Sequence, residues 1–174
     1  MKIIDPNKIE QRDLPLIFLS SDGLNLISYL IKLRTKSNYN HAMIMVKPGF
    51  LVSQDWTLNE VPIEKYLKKK IKMKIWKPCG LKPKEVAHIY NGVKQDLDKN
   101  KFKNRYDVLG VLGQLIGIKK FNNKFTYYCS ERVIKYFRDL KDFMNLPEHP
   151  TPEDLNKVFK KKKNWKVYGY CIRD

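Results

Sequence analysis

The chain has 174 residues, 43% of them apolar and 12% aromatic. That is one-domain length with enough apolar content for a real core, so wholesale disorder is excluded. Lys and Arg number 35 against 18 Asp and Glu, a formal net charge of +17. This balance invites a polyanion such as nucleic acid, an anionic wall polymer or a membrane surface. Lysine dominates it, however, and arginine forks are scarce, so only weak nucleic-acid binding without sequence preference is expected. No stretch is long and apolar enough to cross a bilayer. The opening MKIIDPNKIEQRD has no apolar core of a signal peptide, so a cytoplasmic or virion-associated protein is expected.

In chain order, Asp13 to Ser20 reads as a first strand entering the core. Asp22 then caps a helix over 23–34, with Leu24, Ile27, Leu30 and Ile31 at helical spacing. After the polar loop TKSNYN comes a hairpin: His41 to Val46, a Pro48-Gly49 turn, and Phe50 to Gln54. Pro62 to Leu67 reads as a helical turn opened by proline. Ile71, Met73 and Ile75 alternate with Lys70, Lys72 and Lys74, which predicts a strand with a solvated lysine face.

Pro83 to Leu97 is the next helix, with Val86, Ile89, Tyr90 and Val93 inward. Tyr106 to Ile116 follows as a glycine-bearing apolar helix. It lacks the Lys-Ser/Thr ending of a phosphate loop, so close packing explains its glycines. Cys129 falls at a helix start, with Val133, Ile134 and Phe137 behind it at helical spacing. Thr151-Pro152-Glu153-Asp154 is a strong helix start, and that helix runs into the lysines 160–163, which suit its C-terminal end. Lys166 to Ile172 closes the chain as a strand. The order β, α, hairpin, β, four α, β predicts an α+β fold with an antiparallel sheet.

Three cysteines, Cys79, Cys129 and Cys171, form no CxxC pair, and the three histidines have no metal-ligand spacing. Neither a disulfide framework nor a structural zinc site is expected, and no cofactor is implied. Cys79 in a Pro-Cys-Gly turn and Cys171 in the closing strand read as structural. His88, mid-helix, and His149, between Glu148 and Pro150, read likewise. Cys129 and His41 are the candidates for chemistry. A helix-start cysteine meets backbone N–H groups that favour the thiolate, and a histidine at a strand edge suits a general base. A lone residue of either type is more often structural.

The two together change that balance, because the chain around them resembles the circularly permuted papain-like (NlpC-type) cysteine hydrolases, the YaeF/YiiX group. The resemblance runs from about Asp13 to Leu155. It is carried by TKSNYNH leading into the histidine strand, PIEKYL at 62–67 beside the family's PLEEYL, YDVLGVLGQLIG at 106–117, the YYCSERV nucleophile segment, and the closing Thr-Pro-x-Asp-Leu helix. It implies one permuted papain-like domain over 1–174 and acyl transfer on an amide or ester bond, in a peptidoglycan peptide or a lipid acyl group. Cys129 would be the nucleophile and His41 the base.

The family's third, orienting residue sits on the return strand about twelve residues after the histidine. Counting without a gap gives Ser53. A two-residue turn would instead pair Met43 with Gln54 and place Gln54 on the His41 face. Gln54 is the choice here, since its amide oxygen accepts from a ring N–H; Asp55 is the third candidate. The competing class is a catalytically degenerate papain-like domain acting as a basic binding or virion structural module.

Overall fold

The computed structural model describes residues 2–21, 38–54, 57–67, 71–99, 129–140 and 150–171. The helices expected over 23–34 and 106–116, together with Asp55, Lys70 and His149, lie outside them. Six strands form one sheet: β1 (Leu16–Ser20), β2 (His41–Lys47), β3 (Phe50–Gln54), β4 (Leu58–Pro62), β5 (Met73–Pro78) and β6 (Trp165–Cys171). Their spatial order is β4-β3-β2-β1-β5-β6, and every neighbouring pair is antiparallel. Four α-helices accompany it among the described residues: α1 (Glu64–Leu67), α2 (Pro83–Asp98), α3 (Cys129–Lys135) and α4 (Pro152–Lys161). The fold is α+β, as the order of elements predicts.

β1 lies at the centre, and all five of its residues are buried. A strand covered on both faces must be apolar throughout, which is why LIFLS reads as a continuous run rather than an alternation. Its two faces feed two cores. Ile17 and Leu19 join Ala42, Ile44, Trp76 and the apolar sides of α2, α3 and α4. Leu16 and Phe18 join Met43, Met45, Ile63 and Tyr66 on the opposite face. The outer edge of β6 is closed by the N-terminal segment, where Ile4 N–H donates to Tyr170 O at 2.9 Å and Tyr170 N–H to Lys2 O at 2.9 Å. That contact is close enough that a Cβ on Gly169 would run into the Ile4 side chain. Covering the edge removes a row of open backbone groups from solvent.

Two expectations are corrected. Residues 58–62 form β4, and Pro62 closes that strand instead of opening a helix, so α1 starts at Glu64. The alternation of β5 holds, but its lysine side is not solvated throughout: Lys74 is 5% exposed. The helix layer covers that face, and Lys74 Nζ donates to Asn156 Oδ1 of α4 at 3.1 Å. Alternation along a strand identifies two faces but not which of them later receives a helix.

α4 begins as its sequence predicts. Thr151 Oγ1 accepts from Asp154 N–H at 3.1 Å, and Asp154 Oδ2 accepts from Thr151 N–H at 3.0 Å, the reciprocal cap of a helix start. α2 and α3 are joined through Asp96, which is 1% exposed. Its carboxylate accepts from Arg132 Nη1 at 2.8 Å, Lys135 Nζ at 2.6 Å and Lys99 Nζ at 2.7 Å. Burial by itself would raise the Asp96 pKa. Hydrogen bonds from Lys135 and Lys99 and the charge of Arg132 outweigh it and hold the carboxyl down, from 3.8 to about 2.

Asp96→Ala removes the buried carboxylate that pairs with Arg132. The expected loss is about 3 kcal/mol in urea unfolding, at the lower end for a buried pair because Lys99 and Lys135 keep part of their hydration. A carboxyl whose folded pKa is depressed stabilises the protein above its unfolded value and loses that contribution on acidification. Wild-type stability should therefore fall between about pH 4 and pH 2, and this step should be absent from Asp96→Ala.

Candidate active site at one rim of the sheet

Strand direction brings one end of each of the six strands to one rim. β1 ends there at Ser20 and β2 begins at His41, the two residues being direct partners. Ser20 also pairs with Met73 at the start of β5, which pairs with Cys171 at the end of β6. β3 ends there at Gln54. α4 points its N-terminal end the same way. Asn156, in its first half, reaches Lys74, the neighbour of Met73, while Phe159 further along stacks on Trp165 at the start of β6 with ring centroids 3.9 Å apart.

Cys129 opens α3, a helix of seven residues. Ser130 Oγ donates to the carbonyl of Pro150, next to the α4 cap, so the start of α3 lies beside the start of α4. At the other end of α3, Phe137 packs against Trp165, with centroids 5.4 Å apart. The helix therefore runs away from the rim, and Cys129 is its rim-side residue. The Cys129 side chain is buried in the core on the helix side, the cluster that holds Ala42 and Ile44.

His41 is half-buried, and its ring turns to the other face, in the row of Met43 and Met45. Its Nε2 is 2.8 Å from Ser53 Oγ. Tyr66 Oη donates to the same Ser53 oxygen at 2.8 Å, and the Tyr66 ring stacks on the imidazole, with centroids 6.3 Å apart and planes 22° from parallel. A hydroxyl that accepts from Tyr66 keeps its own proton or a lone pair for the imidazole. The ring is thus held by two side chains from different elements. Cys129 and His41 share the rim, and their side chains belong to different layers of it.

The register explains why Ser53, not Gln54, faces His41. The Pro48-Gly49 turn forms as expected, with Gly49 at φ 78° and Lys47 paired to Phe50. The pairing then shifts between Ile44 and Lys47, so that Ile44 lies opposite Val52 and Met43 opposite Ser53. The shift gives β2 one more residue than β3 over this stretch, a β-bulge. A slip of one residue sends every later side chain to the opposite face. The expected Met43–Gln54 pair is therefore replaced, and Gln54 pairs with Leu58, which belongs to the helix-side core. Nothing in the chain marks the bulge. Counting twelve residues from the histidine without assuming a turn type reaches the residue that the geometry selects.

The remaining candidates separate by place. Cys171 is buried, and burial, with the charge of Asp5, pushes its thiol up to about 12. Cys79 is half-buried after β5. His88 lies 3.8 Å from Asp139 on the exposed side of α2. Sequence reasoning overlooked Tyr66, since PIEKYL gave its position but no reason to bring its hydroxyl to the site. It also overlooked Ser20, whose Oγ is fully buried and finds no hydrogen-bond partner among the described residues.

No family model and no curated protein matches the sequence. Among solved structures, the chain is similar in fold to the crystal structure of metalloprotein yiiX from Escherichia coli O157:H7, DUF1105. The TM-score is 0.53 at 16% identity, and the match covers 94% of this chain and 89% of that one. The likeness is one of fold. Among the described residues no three His, Cys, Asp or Glu side chains converge to hold an ion. No helix among the described residues is long and apolar enough to cross a membrane.

The contact at Ser53 is open to direct measurement through the NMR signals of the His41 ring nitrogens. Ser53→Ala should displace the Nε2 signal, because it removes the hydroxyl 2.8 Å from that nitrogen. Gln54→Ala should leave it in place. A signal that moves with Gln54 and not with Ser53 would reverse the assignment.

Proposed function

We propose that this chain is a cysteine-dependent hydrolase or acyltransferase of the permuted papain-like kind, acting on an amide or ester bond. The observation that carries the reading is the imidazole of His41, held by Ser53 and Tyr66 at the rim where α3 begins with Cys129. A histidine gripped through one nitrogen presents the other in a fixed direction, which is what a general base requires. The yiiX-like fold supports the reading at the level of architecture, and the YCSE segment with its upstream histidine supports it at the level of sequence.

In this reading His41 takes the proton from the Cys129 thiol as the sulfur attacks the substrate carbonyl, giving a tetrahedral oxyanion. Collapse breaks the C–N or C–O bond, and His41 returns the proton to the leaving amine or alcohol. Water, deprotonated by His41, then releases the acyl group from Cys129. Ser53 takes the orienting role that the sequence suggested for Gln54. The Cys129 side chain lies in the helix-side core and the His41 ring on the opposite face, so the proton transfer requires the thiol and the free edge of the ring to come together over the rim. Peptidoglycan peptides and lipid acyl groups are the substrate classes that the resemblance brings, and a surface of net charge +17 suits the anionic polymers or lipids that carry them.

Alkylation by iodoacetamide, resolved by mass spectrometry over pH 5–8, tests the pair without a known substrate. Cys129 should react faster than Cys79 at mildly acidic pH, and His41→Ala should remove that advantage. Cys171, with its raised pKa, should stay unmodified. Once a substrate is in hand, Cys129→Ala should abolish turnover and His41→Ala should cost nearly as much, because the two act as a unit. A Cys129 rate indifferent to His41 would exclude the mechanism.

A further inference from the structure

Lys74 stands out as a buried cation. Its amine is on the helix side of β5, and the residue is 5% exposed. Among the described residues its hydrogen-bond acceptor is a neutral one, Asn156 Oδ1 at 3.1 Å, and no carboxylate lies within ion-pair distance. Two aromatic faces complete the surroundings: Trp76, with the nitrogen 4.3 Å from its ring centroid, and Tyr170, at 5.8 Å. Aromatic faces and one amide oxygen compensate an ammonium only in part. A buried charge with no counter-ion is costly, and an arriving anion would offset that cost.

The charged and titratable groups around Lys74 can be named from each element packed on it. Lys160 of α4 lowers its pKa further, after burial, and Glu153 of α4 raises it; the net direction is downward. Glu153 Oε1 accepts from Asn156 Nδ2 at 3.1 Å, so this carboxylate is turned to the amide that holds Lys74. Tyr170 of β6 lies on one side. Tyr39, half-buried two residues before His41, interacts with both Tyr170 and Glu153, and burial followed by those two groups raises its pKa to about 12. The Tyr39 phenol therefore stays protonated as a donor at neutral pH.

The place of this group relates it to the site above. Asn156 is four residues beyond Pro152, the start of α4, or roughly 6 Å along the helix at 1.5 Å per residue, and the carbonyl of Pro150, just before the cap, touches the start of α3. Tyr39 leads directly into Asn40 and His41.

We propose that Lys74, between Asn156 and the faces of Trp76 and Tyr170, forms a subsite for a small anionic group, a carboxylate or a phosphate, beside the Cys129 rim. Within the hydrolase reading it selects substrates that carry such a group a short distance from the scissile bond. The binding itself does not depend on that reading.

The test is thermal unfolding of the full chain at pH 7 and constant ionic strength, with inorganic phosphate or acetate replacing chloride. A saturable rise in Tm with either anion is expected, and the anion that saturates identifies the class; saturation by neither overturns the proposal. Lys74→Met should abolish the effect, while Lys163→Gln, on the exposed turn after α4, should keep it. A rise that survives Lys74→Met places the anion elsewhere and also overturns it. Should Lys74→Met fail to fold, acetylation of wild-type lysines read by mass spectrometry decides the matter. The saturating anion should protect Lys74 at least tenfold more than Lys163, and equal protection counts against the subsite. Cys129→Ala should bind the anion within twofold of wild type. Intact binding in a wild-type chain whose Cys129 reacts no faster than in His41→Ala would remove the hydrolase reading and leave the subsite standing.

Discussion

What His41 touches depends on a single extra residue in β2. The hairpin turn closes with Lys47 opposite Phe50, and from there a regular ladder would carry Met43 to Gln54. The bulge between Ile44 and Lys47 absorbs one residue, and everything nearer the rim exchanges faces. Ser53 then meets the imidazole and Gln54 joins the helix side. The same shift allows Tyr66, carried by the short α1 after β4, to close on Ser53 and stack on the ring. Without it, the strand would offer His41 and Tyr66 a different side chain.

The rim is assembled by long-range pairings rather than by any local motif. His41 reaches its place because β1 and β2 run antiparallel and end and begin together. Cys129 reaches its place because α3 is tied at both ends, by Ser130 on the Pro150 carbonyl and by Phe137 on Trp165. Asp96 fixes the remaining freedom of that helix by joining Arg132 and Lys135 to α2. A carboxylate shared by three cations restrains both sliding and rotation of α3, since either motion would break charge-assisted bonds. The buried charge on α2 thus acts on the position of the rim cysteine through the helix it starts.

Lys74 is buried by a helix distant in the chain rather than by its neighbours in sequence. Most lysines that the structure describes lie at the surface, as in the run at the end of α4, where the helix dipole and solvent account for them. Lys74 is different because α4 lies across β5 and leaves its amine among Asn156, Trp76 and Tyr170. The net charge of the chain describes the first kind of lysine and says nothing about the second.

The amino-acid sequence by itself determined the elements whose signals are local. The apolar run of β1, the Pro48-Gly49 turn, the length of α2 and the reciprocal cap of α4 follow from residue chemistry within a few positions, and each stands where its residues predict. The α+β class follows from their order. The tertiary structure alone decided which faces were covered, because coverage depends on elements distant in the chain. It buried Lys74 under α4, added β4 as an edge strand and brought Tyr66 to Ser53. It also decided the register at His41. A bulge forms where the twist and packing of the whole sheet favour an extra residue, and no residue between Ile44 and Lys47 announces it. The sequence could nominate Cys129 and His41 and count to Ser53 or Gln54; choosing between the two required the sheet.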